Sequence, residues 1–190
     1  MKKSFFYTIT VIALLTVAGC KGFCQSVMTM TTAPKTQEVK ISFIDSDTAT
    51  IDWGDGESDI YIPSGNYVPS IRHTYFDTSA HTITITGNSV EVMFCRDNQL
   101  VSLDVSKNTK LKRLFCSNNQ LTSLDVSKNI ELKSLQCDNN QFSETELNAL
   151  FHTLCYHSGY NGNIIIYGNL GTGKCDKSIA EKKGWKVIIK

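Results

Sequence analysis

Three groups of residues have types and spacings that could do chemistry. Cys95, Cys116 and Cys137 recur at a step of 21 residues, and thiols repeated on one face are candidate soft-metal ligands. Zinc sites favour close C-x-x-C pairs, which this chain lacks, and stacked parallel Cβ vectors are poor disulfide geometry. The three thiols therefore read as small core hydrophobes. Asp52, Asp55, Glu57 and Asp59 crowd one stretch, but they fail the calcium-loop pattern, which wants carboxylates at every second position before a glycine, so they read as solvated strand ends. The run "GNLGTGKC", Gly168 to Cys175, has the G-x-x-x-x-G-K spacing of a phosphate-cradling loop, with Lys174 as the phosphate contact. Cys175 stands where the magnesium-binding Ser or Thr belongs, and the helix that would follow is barely two turns long. The glycines read as loop punctuation, and no nucleotide or other cofactor is expected. His73, His81, His152 and His157 form no H-E-x-x-H set. No nucleophile, base and orienting group can be assembled, so the chain reads as not an enzyme.

The elements that must position these residues are written as a repeat. "MFCRDNQLVSLDVSKN" from Met93 returns as "LFCSNNQLTSLDVSKN" from Leu114, and "LQCDNNQF" begins a third copy at Leu135. Each copy fits L-x-x-L-x-C-x-x-N-x-L and resembles the leucine-rich repeat with cysteine at one apolar site. That resemblance implies a short strand and an arc back in each copy, with successive strands pairing in parallel. Leu114 and Cys116 would then point inward, with Arg113, Phe115 and Ser117 outward. Asn98, Asn119 and Asn140 would satisfy backbone groups where the chain leaves the strand. Ile164, Ile166 and Asn169 copy the same offsets and predict a fourth strand.

The N-terminus reads as an export signal. Lys2 and Lys3 precede an apolar run too short for a stable membrane span. The run ends at Val17-Ala18-Gly19-Cys20, which resembles the bacterial lipobox and implies lipid attachment at Cys20 after removal of residues 1–19. Residues 20–36 are small and polar and read as a tether. The formal charge of +1 becomes slightly negative once Lys2 and Lys3 leave, which argues against a nucleic-acid partner.

Residues 37–88 read as short strands, with Asp55-Gly56 as a hairpin turn. "IDWGDG" followed by "HTYFDTSAHTITITG" resembles the PKD-like β modules of exported bacterial proteins. A small module of this kind running into cysteine-type repeats is similar to leucine-rich lipoproteins of Bacteroidetes-type bacteria. After the repeats, Ser143 and Glu146 form a capping box ahead of Leu147, Leu150, Phe151 and Leu154 at helical spacing. Asp176 and Gly184 bound a second short helix. Pairing of Cys155 with Cys175 is left open.

The expected fold is α+β: a sandwich-like β module over 37–88, a leucine-rich-repeat solenoid with parallel strands over 89–142, and a helical cap over 143–190. The expected function is a binding module for a protein or glycan ligand at the cell envelope or a host surface, lipid-anchored at the outer membrane on either face. Its predicted contact residues are Phe94, Arg96, Arg113, Phe115, Gln136 and Tyr167. A polysaccharide hydrolase working through paired carboxylates and a purely structural spacer are the alternatives.

Overall fold

The computed structural model describes residues 26–63, 68–159 and 162–190. Cys20, the proposed lipid site, and Cys24 lie outside them. Among the described residues no helix is long and apolar enough to cross a membrane.

Among the described residues twelve strands and two helices follow in the order β1 (Ser26–Thr32), β2 (Glu38–Ile44), β3 (Ala49–Asp52), β4 (Ser58–Tyr61), β5 (Ile71–Thr74), β6 (Thr82–Gly87), β7 (Val92–Phe94), β8 (Leu100–Asp104), β9 (Arg113–Phe115), β10 (Ser134–Gln136), α1 (Glu144–Thr153), β11 (Gly162–Ile165), α2 (Ser178–Glu181) and β12 (Trp185–Ile188). They form two sheets, ordered β4-β3-β6-β1-β8 and β12-β11-β10-β9-β7-β2-β5. The first is antiparallel throughout. The second is parallel from β12 to β7 and antiparallel where β7 meets β2 and β2 meets β5.

This overturns the expected α+β class, a module joined to a separate solenoid. The chain is mostly β, and both sheets cross the boundary expected at residue 88. β8, from the first repeat, pairs with β1, and β7 pairs with β2. The physical reason is the open strand edge of the first repeat. An unpaired edge leaves a row of backbone donors and acceptors without partners, and the N-terminal strands satisfy it by continuing the sheet. Asn98 extends the join: its side-chain oxygen accepts from Lys40 N at 2.7 Å and its Nδ2 donates to Lys40 O at 2.8 Å. The tether expected through residue 36 is corrected too. Ser26–Thr32 is β1, an interior strand whose Met28 and Met30 are fully buried.

The repeat period fixes the register of the parallel ladder. Met93, Leu114, Leu135, Ile164 and Val187 align across five strands, and so do Phe94, Phe115, Gln136, Ile165 and Ile188. The first row turns inward, with Met93, Leu114, Leu135 and Ile164 wholly buried; burial of one such side chain is worth about 1.5–3 kcal/mol. Cys95, Cys116 and Cys137 are equally buried. The core is one cluster, running from Met28 and Trp53 through the repeat leucines to Phe142 and Trp185.

Asparagines hold the bends. Asn119 Oδ1 accepts from Asn98 N at 3.1 Å and Leu100 N at 2.9 Å, and its Nδ2 donates to Cys95 O at 2.9 Å and Cys116 O at 3.0 Å. Asn140 repeats the pattern, accepting from Leu121 N and donating to Cys116 O and Cys137 O. Asn169 closes the series with acceptances from Asn140 N and Phe142 N. The residue before each ladder asparagine has a left-handed backbone: Asp97 (φ 59°), Asn118 (φ 56°), Asn139 (φ 52°) and Gly168 (φ 70°). Asn, Asp and Gly tolerate that region best. Gly168, the first glycine of the phosphate-loop pattern, thus holds a bend position of the ladder.

Candidate functional site

Side chains alternate across a strand, so the ladder that buries Leu114 and Cys116 must present Phe115 on its other face. Phe94 and Phe115 are paired residues on adjacent parallel strands. Their rings stack with centroids 4.6 Å apart and planes 6° from parallel. The Arg96 guanidinium lies over the Phe115 ring, 4.8 Å from its centroid, and donates to Gln136 Oε1. Phe94, Phe115 and Gln136 are half-buried, while Arg96 and Arg113 are exposed. Tyr167, 38% exposed, donates its hydroxyl to Asp138; this hydrogen bond and the carboxylate charge push the phenol up from its ordinary value. The structure therefore brings Phe94, Arg96, Phe115 and Gln136 together around the ring stack, while Tyr167 is tied to Asp138. Arg113 stands at the other end of the same strand row, across from Ser134.

Ser117, expected outward, is buried, and so are Val92 and Asp138, which the same alternation directs outward on their own strands. Ser117 Oγ donates to Asp138 Oδ1 at 2.6 Å, and short side chains tied to each other in this way lie low against the sheet. Asp138 also accepts from Asn139 Nδ2 at 3.1 Å.

The thiols behave as core atoms. Burial pushes Cys95 up to about 12 despite nearby Arg96, and Cys116 and Cys137 rise for the same first cause. A thiol held protonated is a poor nucleophile and a poor metal ligand. Cys155 and Cys175 are free thiols, with Sγ atoms donating to Leu132 O at 3.4 Å and Thr172 O at 3.5 Å. Among the described residues no cluster of three His, Cys, Asp or Glu side chains is arranged to hold a metal ion.

The acidic stretch is committed to its hairpin. Asp52 Oδ1 accepts from Gly54 N, Asp55 Oδ1 from Glu57 N and Asp59 Oδ2 from the Trp53 indole. Beside it lies a cluster missed at the sequence level. His73 stacks on Trp53 at 4.7 Å, and His81 stacks on Tyr75 at 3.9 Å. His73 Nε2 meets Asp55 Oδ2 at 2.6 Å, His81 Nε2 meets Asp77 Oδ1 at 2.8 Å, and Tyr75 donates to Trp53 O at 2.8 Å. Burial acts to raise Asp55, but the His73 hydrogen bond and the Glu57 amide outweigh it, and the carboxyl is held below its ordinary value. The signal was the two-residue spacing of His73 and Tyr75, which places both on one face of a strand.

In the phosphate-loop segment the backbone amides are spent locally. Gly171 N donates to Phe142 O, and Lys174 N and Cys175 N both donate to Gly171 O. The helix after it, α2, is one turn long. These amides do not converge on an anion.

Compared with protein-family models, curated proteins and solved structures, the chain matches none.

Proposed function

We propose that the outward face of the parallel ladder is a binding surface, and that the chain serves as a lipid-anchored binding module of the cell envelope rather than an enzyme. One observation carries the reading: two stacked phenylalanines beneath an arginine, set on a hydrogen-bonded scaffold that holds them half-open to solvent. Aromatic residues and arginine dominate binding energy at interfaces. Five parallel strands with a common register make the platform rigid, so little ordering is needed when a partner arrives. Attachment through Cys20 would keep the face at the membrane surface.

The test places a photo-crosslinking amino acid at Arg113 on this face, and at exposed Ser123 on the arc away from it, in cells that make the protein. Adducts are expected from position 113 and not from 123. Equal adducts from both positions, or none from 113, would count against the face. In the same cells Cys20→Ala should move the protein from the membrane fraction to the soluble one. Continued sedimentation with membranes would remove the lipid anchor from the reading.

A further inference from the structure

The proposed face also carries a charge pattern that points to the chemistry of its partner, and the inference rests on the binding reading above. Between β9, β10 and β11 the face dips into a shallow depression. Lys112, Arg113 and Lys133 line it with positive charge, and Ser134, Gln136 and Asn163 line it with hydroxyl and amide groups. Lys112 and Lys133 occupy the same position in successive repeats, and adjacent strands hold such positions about 4.8 Å apart. Lys112 is paired with Glu91 at 2.9 Å. Arg113 and Lys133 are exposed and pair with no carboxylate among the described residues.

The remaining wall is Phe115. One ring face is taken up by Phe94, and the Arg96 guanidinium also lies over the ring. The ring therefore meets the depression by its edge, which is the electropositive part of an aromatic group. The hydroxyl and amide groups of the lining both donate and accept hydrogen bonds; Ser134 Oγ already donates to Asn163 Oδ1 at 2.7 Å.

We propose that this depression binds an anionic glycan, one whose sugar rings carry carboxylates. Arg113 and Lys133 meet the carboxylates, with guanidinium and carboxylate able to pair through two hydrogen bonds. Ser134, Gln136 and Asn163 meet the sugar hydroxyls. An acidic peptide fits less well. It brings few hydroxyls for the polar lining, its apolar side chains find no pocket among charged and polar residues, and its backbone finds no open strand edge, since β9, β10 and β11 are each paired on both sides.

The experiment titrates the full chain in detergent with polygalacturonate, poly-glutamate and neutral dextran. Polygalacturonate should bind, dextran should not, and the affinity should fall as salt rises, as for any contact that releases counterions. The double variant Arg113→Glu, Lys133→Glu should weaken binding about tenfold or more, a loss of at least ~1.4 kcal/mol, with an unchanged melting temperature because both residues are exposed. Arg113→Lys should bind better than Arg113→Glu. Failure of polygalacturonate to bind, equal binding of poly-glutamate, or unchanged binding by the double variant would each overturn the glycan assignment. Position-113 adducts in cells without polygalacturonate binding would leave the binding face standing and remove the glycan alone.

Discussion

Replacing Asn119 with alanine should test how the repeat holds its shape. Its amide serves five backbone groups, all buried: Asn98 N, Leu100 N, Cys95 O, Cys116 O and Ser117 O. Ser117 O keeps a second donor in Asp97 N at 3.2 Å. Cys116 O keeps a second donor in Asn140 Nδ2 at 3.0 Å. The other three lose the partner that Asn119 supplied. A buried polar group left unsatisfied costs about 1–3 kcal/mol, so three of them place the loss at roughly 3–5 kcal/mol once some water entry is allowed. That is a large part of the total stability of an ordinary domain, about 5–15 kcal/mol. The assay is equilibrium unfolding in urea, read at constant slope so that the midpoint reports stability. Asn119→Asp is the companion variant. It keeps the acceptor for Asn98 N and Leu100 N but points a carboxylate at three carbonyls, so it should be as damaging near neutral pH and milder in acid. A loss below about 1 kcal/mol for Asn119→Ala, with the slope unchanged, would refute the view that asparagine side chains hold the bends.

Three further outcomes are expected. Cys116→Ser buries a hydroxyl among thiols and should cost about 1–3 kcal/mol, whereas Cys116→Ala should be milder because it leaves only a small void; thiol reagents should label Cys95, Cys116 and Cys137 quickly only after denaturation. Asn118→Gly should be neutral or stabilising, since φ is 56° there, while Asn118→Val should cost about 1–2 kcal/mol by forcing a branched residue into the left-handed region; melting curves decide. Asp55 has a folded pKa below its unfolded value, so its contribution is present above the unfolded value and fades as pH falls through the folded one; the melting-temperature gap between wild type and Asp55→Asn should be full above about pH 5 and shrink below about pH 4, and a gap that grows in acid would show the sign is wrong.

Much of the ladder was legible because its cause is local and repeated. A step of 21 residues puts equivalent side chains in register, and period-two alternation then assigns Leu114 and Cys116 to the core and Phe115 to the outside. The capping box was legible for the same reason: Ser143 Oγ accepts from Glu146 N at 3.3 Å, a contact three residues long. What escaped notice depends on distant partners. β1 is rich in Ser and Thr and resembles a tether by composition, yet Met28 and Met30 alternate with β-prone threonines, and the strand exists because β6 and β8 flank it. Nothing local announces that β7 will pair with β2. A second asparagine set was also missed: Asn129 Nδ2 donates to Val105 O at 3.0 Å and Asn108 O at 2.8 Å, and Asn108 Nδ2 donates to Ser26 Oγ at 2.6 Å. Its final partner lies on β1, whose role composition had concealed. Ser117 and Asp138 were misplaced because alternation gives a side chain's direction and not its exposure.

The measurement that tests the central claim most directly compares Phe115→Ala with Leu114→Ala, neighbours on β9 that face opposite ways. Leu114 is wholly buried, and its truncation should cost about 2–5 kcal/mol. Phe115 is half-buried and stacked on Phe94, and its loss should cost about 1–2 kcal/mol, from the ring pair and the half-buried area together. Urea unfolding gives both values, and the crosslinking probe at position 113 reports partner engagement in the Phe115→Ala protein. The account predicts that Phe115→Ala stays folded and loses the adduct. A Phe115→Ala protein destabilised as much as Leu114→Ala, or one that is stable and keeps the full adduct, would contradict it.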